Sequence, residues 1–201
     1  MIKTIAMMVA ACALAGGVHA AGDAEAGQAK AVQCGACHGV DGNSLIPNFP
    51  KLAGQHASYL LKQMQDIKSD ARPVPEMIGQ LDAMSDQDME NMAAYYESQV
   101  STRGATKESL LELGESIYRA GIRDKGVAAC AACHSPTAAG NGPAKYPVLS
   151  GQHADYIASA LRKFRNDERT NDGDTRIMRD VAARLSDKEL EAVASYASGL
   201  H

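Results

Sequence analysis

Apolar residues recur three and four positions apart in several segments of the chain, which is the spacing of one face of an α-helix. The clearest case covers residues 55–68, and its apolar stripe consists of Tyr59, Leu60, Met64 and Ile67. Residues 152–166 show a matching pattern, and shorter helical patterns cover residues 23–33 and 108–120. No stretch shows convincing strand alternation. The pattern therefore predicts an all-α protein.

One more helix is predicted near the end of each half, over residues 86–99 and 187–199. Each begins at a serine that has an acidic residue three positions later, which is the arrangement of a helix-capping pair. The pairs are Ser85 with Asp88 and Ser186 with Glu189.

The two halves repeat each other. The segment Gly-Gln-His-Ala-Ser-Tyr at 54–59 returns as Gly-Gln-His-Ala-Asp-Tyr at 151–156. Between the copies, residues 98–107 are polar and include a glycine, which is typical of a linker. We therefore expect two tandem domains, residues 21–107 and 108–201, within the 201 residues of the chain.

Residues 1–20 have the pattern of a secretory signal peptide: Lys3 comes first, an apolar stretch covers 5–14, and Val-His-Ala precedes position 21. The apolar stretch is about half of the roughly 20 residues that a membrane span needs. Cys12 follows a loose lipoprotein cleavage box, which leaves lipidation as an alternative. We expect export with cleavage near Ala20 and no membrane insertion of the mature chain.

The mature chain has a formal charge of −5, because residues 1–20 contribute only Lys3 to the total of −4. This charge argues against nucleic acid or an anionic membrane surface as the main partner. The first half carries −4 and the second −1, and the second half groups Arg162, Lys163, Arg165 and Arg169. One hypothesis is that this asymmetry orients docking of different partners, and the alternative is an ordinary solvated helix face.

The motif Cys-x-x-Cys-His occurs twice. The copies are Cys34, Cys37 and His38, and Cys130, Cys133 and His134. This motif is typical of covalent attachment of one c-type heme, with the histidine as the proximal iron ligand. A redox dithiol or half of a zinc site is the alternative. The histidine beside the second cysteine in both copies, the absence of a βαβ pattern and the expected export all favour two heme groups.

A methionine or a second histidine usually completes the coordination of such an iron. Met178 is the single methionine after residue 101, and it lies eight residues before Ser186. Met77 lies eight residues before Ser85, so the repeat favours Met77 and Met178 as axial ligands. The other candidates of the first half look like core residues: Met64, Met84, Met89 and Met92. Bis-histidine ligation through the recurring His56 and His153 remains an alternative.

Several segments together resemble the diheme cytochrome c4 family over the whole mature chain. They are residues 21–27, 34–43, 48–55 and 170–175. The resemblance implies two cytochrome c-like domains packed face to face, each built around one covalently bound heme, with the heme propionate edges near the interface. It also implies that a proline carbonyl accepts the Nδ1–H of each proximal histidine, and Pro50 and Pro147 match that position. A simple turn proline is the alternative.

If both irons carry His and Met, neither has an open position for substrate, so we expect one-electron transfer and no enzymatic activity. The resemblance further implies a periplasmic carrier between a membrane-bound respiratory donor and a terminal oxidase or similar acceptor. The alternatives are a heme subunit of a larger dehydrogenase, or a diheme enzyme such as a peroxidase.

Overall fold

The computed structural model describes residues 22–201, so the predicted signal peptide and Cys12 lie outside the described residues. In the first half α1 leads through a 3₁₀ turn into α2, and two longer helices follow. Their bounds are Ala24–Ala31 (α1), Gly35–His38 (α2), Ala57–Lys68 (α3) and Asp86–Glu97 (α4).

The second half repeats this order and adds one short helix. Its bounds are Leu111–Ala120 (α5), Ala131–His134 (α6), Ala154–Arg165 (α7), Ile177–Ala182 (α8) and Asp187–Gly199 (α9). Within residues 22–201 the only β-structure is two isolated antiparallel bridges. The all-α prediction is thus confirmed. The six predicted helices lie within two or three residues of their observed bounds, whereas the short helices α2, α6 and α8 were not predicted.

The capping pairs form as the sequence predicts. The Ser85 hydroxyl accepts from the Asp88 amide while the Asp88 carboxylate accepts from the Ser85 amide, both at 3.1 Å. Ser186 and Glu189 make the same reciprocal pair at the start of α9. These bonds satisfy amides that have no partner inside the helix.

The first and last helices of each half, α1 with α4 and α5 with α9, cross in close contact at a glycine. A methyl group added at Gly27 would lie 2.0 Å from the Asn91 carbonyl oxygen, and one at Gly114 would lie 2.3 Å from that of Ala192. Only a residue without a side chain permits this approach. The crossings hold the two ends of each repeat together around its own core.

Each half has its own hydrophobic core. At one matching position of the two cores, the large and the small residue lie on opposite helices. In the first, Tyr96 of α4 is buried among residues that include Ala31 of α1. In the second, Tyr118 of α5 is buried among residues that include Ala197 of α9. The serine caps and the crossing glycines align Tyr96 with Ala197 and Ala31 with Tyr118. One tyrosine therefore fills the same region in both cores, from opposite helices.

Candidate functional sites

Both Cys-x-x-Cys-His motifs fold into one short helical turn, α2 and α6. Cys34, Cys130 and Cys133 are partly buried and Cys37 is exposed, and no disulfide joins them. Because the cysteines of each pair are three positions apart in a helical turn, their side chains point to similar sides of it. The histidine at the end of each turn is buried.

The two motif histidines are oriented by proline carbonyls. His38 Nδ1 lies 2.8 Å from the Pro50 carbonyl oxygen, and His134 Nδ1 lies 3.1 Å from that of Pro147. A carbonyl can only accept, so Nδ1 carries the proton and Nε2 keeps its lone pair. Burial lowers the pKa of both histidines, and the proline carbonyls offset part of this effect. Both imidazoles are therefore neutral near pH 7 and suited to bind a metal through Nε2.

The first thiol of each motif has the opposite of the property that thiolate chemistry needs. Burial raises the pKa of Cys34, and it raises that of Cys130 to about 11. A redox dithiol or a zinc ligand requires a lowered thiol pKa. No group of three or more His, Cys, Asp or Glu side chains converges among residues 22–201. A thioether carries neither proton nor charge, so these surroundings suit a cysteine bonded to a porphyrin.

Met77 and Met178 lie in corresponding places but on different local structures. Each is partly buried against the core of its own half, which also contacts the first motif cysteine, Cys34 or Cys130. Met77 ends the 3₁₀ turn Pro75–Met77, whereas Met178 lies in α8. The difference follows from the prolines before Met77, since proline removes a backbone donor and restricts the residue before it.

The remaining methionines and the rival histidines also have clear positions. Met84, Met89 and Met92 are buried in the first core, as predicted, and Met64 packs against that core. His56 Nε2 lies 2.8 Å from the Ala139 carbonyl oxygen, and His153 Nε2 lies 2.9 Å from that of Ser44. Both histidines thus lie at the start of a helix, as N-caps of α3 and α7, and their rings contact the backbone of the opposite domain.

Two arginines cross the boundary between the domains in the same reciprocal way. Arg72 donates to the Tyr156 hydroxyl at 2.9 Å, and Arg169 donates to the Tyr59 hydroxyl at 3.1 Å. Both guanidiniums also reach one atom, Gln63 Oε1, at 2.9 Å. The nearest carboxylate of this cluster is Asp66, which binds Lys62 and Asn171. The cluster holds more positive than negative charge, which suits anionic groups such as heme propionates.

The cationic group noted in the second half is not a free charged face. Arg162 pairs with Glu191 at 2.8 Å, and Arg165 pairs with Asp187 at 2.7 Å. Arg169 is 6% exposed and belongs to the contacts between the domains. Three of the four cations are therefore paired or buried, which leaves less free positive charge on this face than the sequence alone indicates.

One buried polar atom beside the first motif has no partner. Tyr96 Oη makes no hydrogen bond within the described part of the chain, and the sulfur of Cys34 lies beside it. Its counterpart Tyr118 donates to the Ser135 carbonyl at 2.7 Å. An orphan hydroxyl next to a motif cysteine is consistent with a site shaped around a group larger than the thiol. The residues present thus fit a covalently bound heme in each domain.

The comparisons with known proteins agree with this geometry. The family model described as Cytochrome c matches residues 24–99 and again residues 112–200, so fold and sites define a c-type cytochrome with two heme domains. Cytochrome c4 of Azotobacter vinelandii is 54% identical over 100% of both chains. The crystal structure of reduced recombinant cytochrome c4 from Pseudomonas stutzeri is 55% identical, covers 90% of this chain and 100% of that chain, and has a TM-score of 0.88. The chain belongs to the cytochrome c4 family.

Membership of this family identifies the cofactor and the general activity of the protein. The chain is a diheme electron-transfer protein with two heme c groups, not an enzyme. A more distant relative is the thiosulfate dehydrogenase electron acceptor of Stutzerimonas stutzeri (strain A1501), 35% identical over 83% of this chain and 78% of that protein. Among residues 22–201 no helix has the length and apolar character to cross a membrane.

Two residues of the contact between the domains, Gln55 and Gln152, were not predicted from the sequence. Both are buried, at 6% and 7% exposure. Both halves contain Gly-Gln-His, and this repetition marks the glutamine as well as the histidine. Each glutamine binds the backbone of the opposite domain directly after the proline that holds the motif histidine.

Proposed function

We propose that this protein is a periplasmic carrier that moves one electron at a time from a membrane-bound respiratory donor to a terminal oxidase or similar acceptor. Four cysteines would attach the two hemes: Cys34 and Cys37 in domain 21–107, and Cys130 and Cys133 in domain 108–201. His38 and Met77 would bind one iron, and His134 and Met178 the other. Bound heme iron supplies a one-electron couple.

The observation that carries this proposal is that the same arrangement of a buried histidine, a proline carbonyl and a methionine occurs in both halves. Each buried histidine has its Nδ1 committed to a proline carbonyl, Pro50 or Pro147, and presents only Nε2 to a metal. Each half also has one methionine, Met77 or Met178, eight residues before its capping serine in the sequence. This methionine packs against the core that the first motif cysteine contacts. With a histidine and a methionine on each iron, no position would be left for a substrate, which supports a carrier.

The ligand assignment is tested by redox titration of the mature holoprotein and of Met77→His and Met178→His. Thioether ligation raises the reduction potential relative to a second imidazole. We therefore expect each variant to lose part of the weak long-wavelength band of Met-ligated ferric heme and to lower one of the two potentials. An unchanged spectrum in either variant would refute that methionine as a ligand.

A second role is favoured by the similarity to the thiosulfate dehydrogenase electron acceptor. In that role the chain would serve as the heme partner of a dehydrogenase. The two roles differ in assembly, because a dedicated subunit co-purifies with its dehydrogenase whereas a carrier is isolated alone. Affinity purification from the native periplasm at low ionic strength distinguishes them.

A further inference from the structure

In each domain one glutamine side chain forms hydrogen bonds with the backbone of the other domain. The amide of Gln152 donates to the Lys51 carbonyl at 2.8 Å and accepts from the Lys51 amide at 2.9 Å. Gln55 makes the same pair with Val148, at 3.0 and 2.9 Å. The two pairs are related by the internal repeat, since Lys51 and Val148 occupy corresponding positions.

The bound backbone is the peptide group that holds the motif histidine. The carbonyl of Pro50 and the N–H of Lys51 belong to one planar peptide unit. Its oxygen accepts from His38 and its N–H donates to Gln152. One peptide unit therefore connects a motif histidine to the opposite domain.

The second domain repeats this connection. The oxygen of the Pro147–Val148 peptide accepts from His134 at 3.1 Å, and its N–H donates to Gln55. The glutamines are themselves held at the start of a long helix, because Gln152 Oε1 also accepts from the His153 amide at 3.0 Å and Gln55 Oε1 from the His56 amide at 3.1 Å. Each glutamine is thus a fixed group.

Hydrogen bonds in series polarise one another, most of all in a buried setting. An acceptor on the N–H side of a peptide makes its carbonyl a stronger acceptor. A stronger acceptor at Nδ1 raises the donor strength of the imidazole at Nε2 and fixes the ring orientation. A more basic axial ligand stabilises the oxidised form of the site and lowers its reduction potential.

From this geometry we propose that Gln152 is a positioning residue for His38 and Gln55 is one for His134. Each domain thereby tunes the redox site of the other. The inference rests on the assignment of His38 and His134 as axial ligands made under the proposed function.

The test replaces each glutamine by methionine, which has similar length and no amide, in the mature holoprotein. In Gln152→Met the Lys51 N–H loses its acceptor, so the potential of the first site rises while that of the second stays constant. Gln55→Met gives the reverse. We expect the oxidised-to-reduced ratio at fixed potential to change about threefold, which is about 28 mV at 59 mV per tenfold change.

The spectra of Met77→His and Met178→His, together with the hyperfine-shifted NMR signals of each heme, assign each measured potential to the heme of one domain. A second readout is the Nδ1–H resonance of His38 in the reduced protein, which should move in Gln152→Met and not in Gln55→Met. Ser58→Ala is the matched control, because the Ser58 hydroxyl donates to the Gly142 carbonyl across the same interface at 2.6 Å and touches neither peptide. It should leave both potentials unchanged.

A shift confined to the glutamine's own domain, an equal shift of both sites, or no shift in either variant overturns the proposal. If Gln152→Met does not fold, Gln152→Glu keeps the acceptor for Lys51 N–H and should lower the potential of the first site; a rise or no change there overturns the proposal. Failure of the ligand assignment is seen separately, as unchanged spectra of the methionine variants.

Discussion

Removing the hydroxyl group of Tyr96 should affect stability much less than removing that of Tyr118. Tyr96→Phe and Tyr118→Phe each remove a hydroxyl from a fully buried ring, at 2% and 0% exposure. Tyr118 Oη donates to the Ser135 carbonyl at 2.7 Å, whereas Tyr96 Oη has no partner among the described residues. Burial raises the pKa of both phenols, so both remain protonated in solution at neutral pH.

The magnitudes follow from these contacts. A hydrogen bond contributes about 1 kcal/mol net, and a buried acceptor left alone costs about 1–3 kcal/mol. Because the Tyr118–Ser135 hydrogen bond is only partly buried, we expect Tyr118→Phe to cost about 1–1.5 kcal/mol, near the lower end of this range. Tyr96→Phe removes a hydroxyl that makes no hydrogen bond to the described residues and lies beside the Cys34 sulfur, so the free energy of unfolding should change by less than about 0.5 kcal/mol.

The assay is urea unfolding of the holoprotein together with hydrogen exchange resolved by domain. A loss of about 1 kcal/mol lowers the unfolding midpoint by about 0.7 M when m is about 1.5 kcal/mol/M. It also increases exchange of the most protected amides in residues 108–201 about fivefold. Equal losses in both variants would refute the reasoning, as would a larger loss for Tyr96→Phe.

Two further predictions concern a helix cap and a loop carboxylate. Ser85→Ala and Ser186→Ala should each cost about 1 kcal/mol of unfolding free energy in urea titrations, and Ser85→Asp should retain most of it; no loss in either alanine variant would contradict the observed capping pairs. Asn43 donates to Asp41 through its backbone amide at 2.9 Å and its side chain at 2.8 Å, which lowers the pKa of Asp41 below 3.8. The ionised Asp41 carboxylate therefore contributes its full stabilisation above about pH 4 and loses it as the pH falls through the lowered pKa. Asp41→Asn should accordingly reduce the slope of unfolding free energy against pH in the acid range. An unchanged slope between pH 4 and pH 2 would contradict this.

Most of the fold could be predicted because its signals are local. The helices follow from apolar spacing and from serine caps, and the repeat let each half check the other. The helices α2, α6 and α8 were not predicted because four or six residues are too few to show a period. The counterpart of α8 in the first half is a 3₁₀ turn that begins at Pro75, two residues after Pro73. The motif cysteines and histidines are equally local, since their chemistry needs a fixed spacing along the chain.

The contacts between the domains could not be predicted, for a physical reason. Gln152 recognises the N–H and the carbonyl of residue 51, which every residue except proline can offer. The side chain at that position is consequently unconstrained by the contact, and the two halves have Lys51 and Val148 there. A comparison of the halves reveals the conserved glutamine but gives no sign of its partner.

The same freedom explains how two similar sites can come to differ. Lys51 is buried at 8% exposure and its ammonium donates to the carbonyls of Gly151 and Thr102, at 2.7 and 3.1 Å. Burial lowers its pKa, yet Val148 places no charge at the matching position of the other domain. Gln63 likewise binds both guanidiniums where the repeat has Ala160. Since the backbone contacts hold the domains in reciprocal positions, the side chains around them can diverge, and charge near each site can change without loss of the interface.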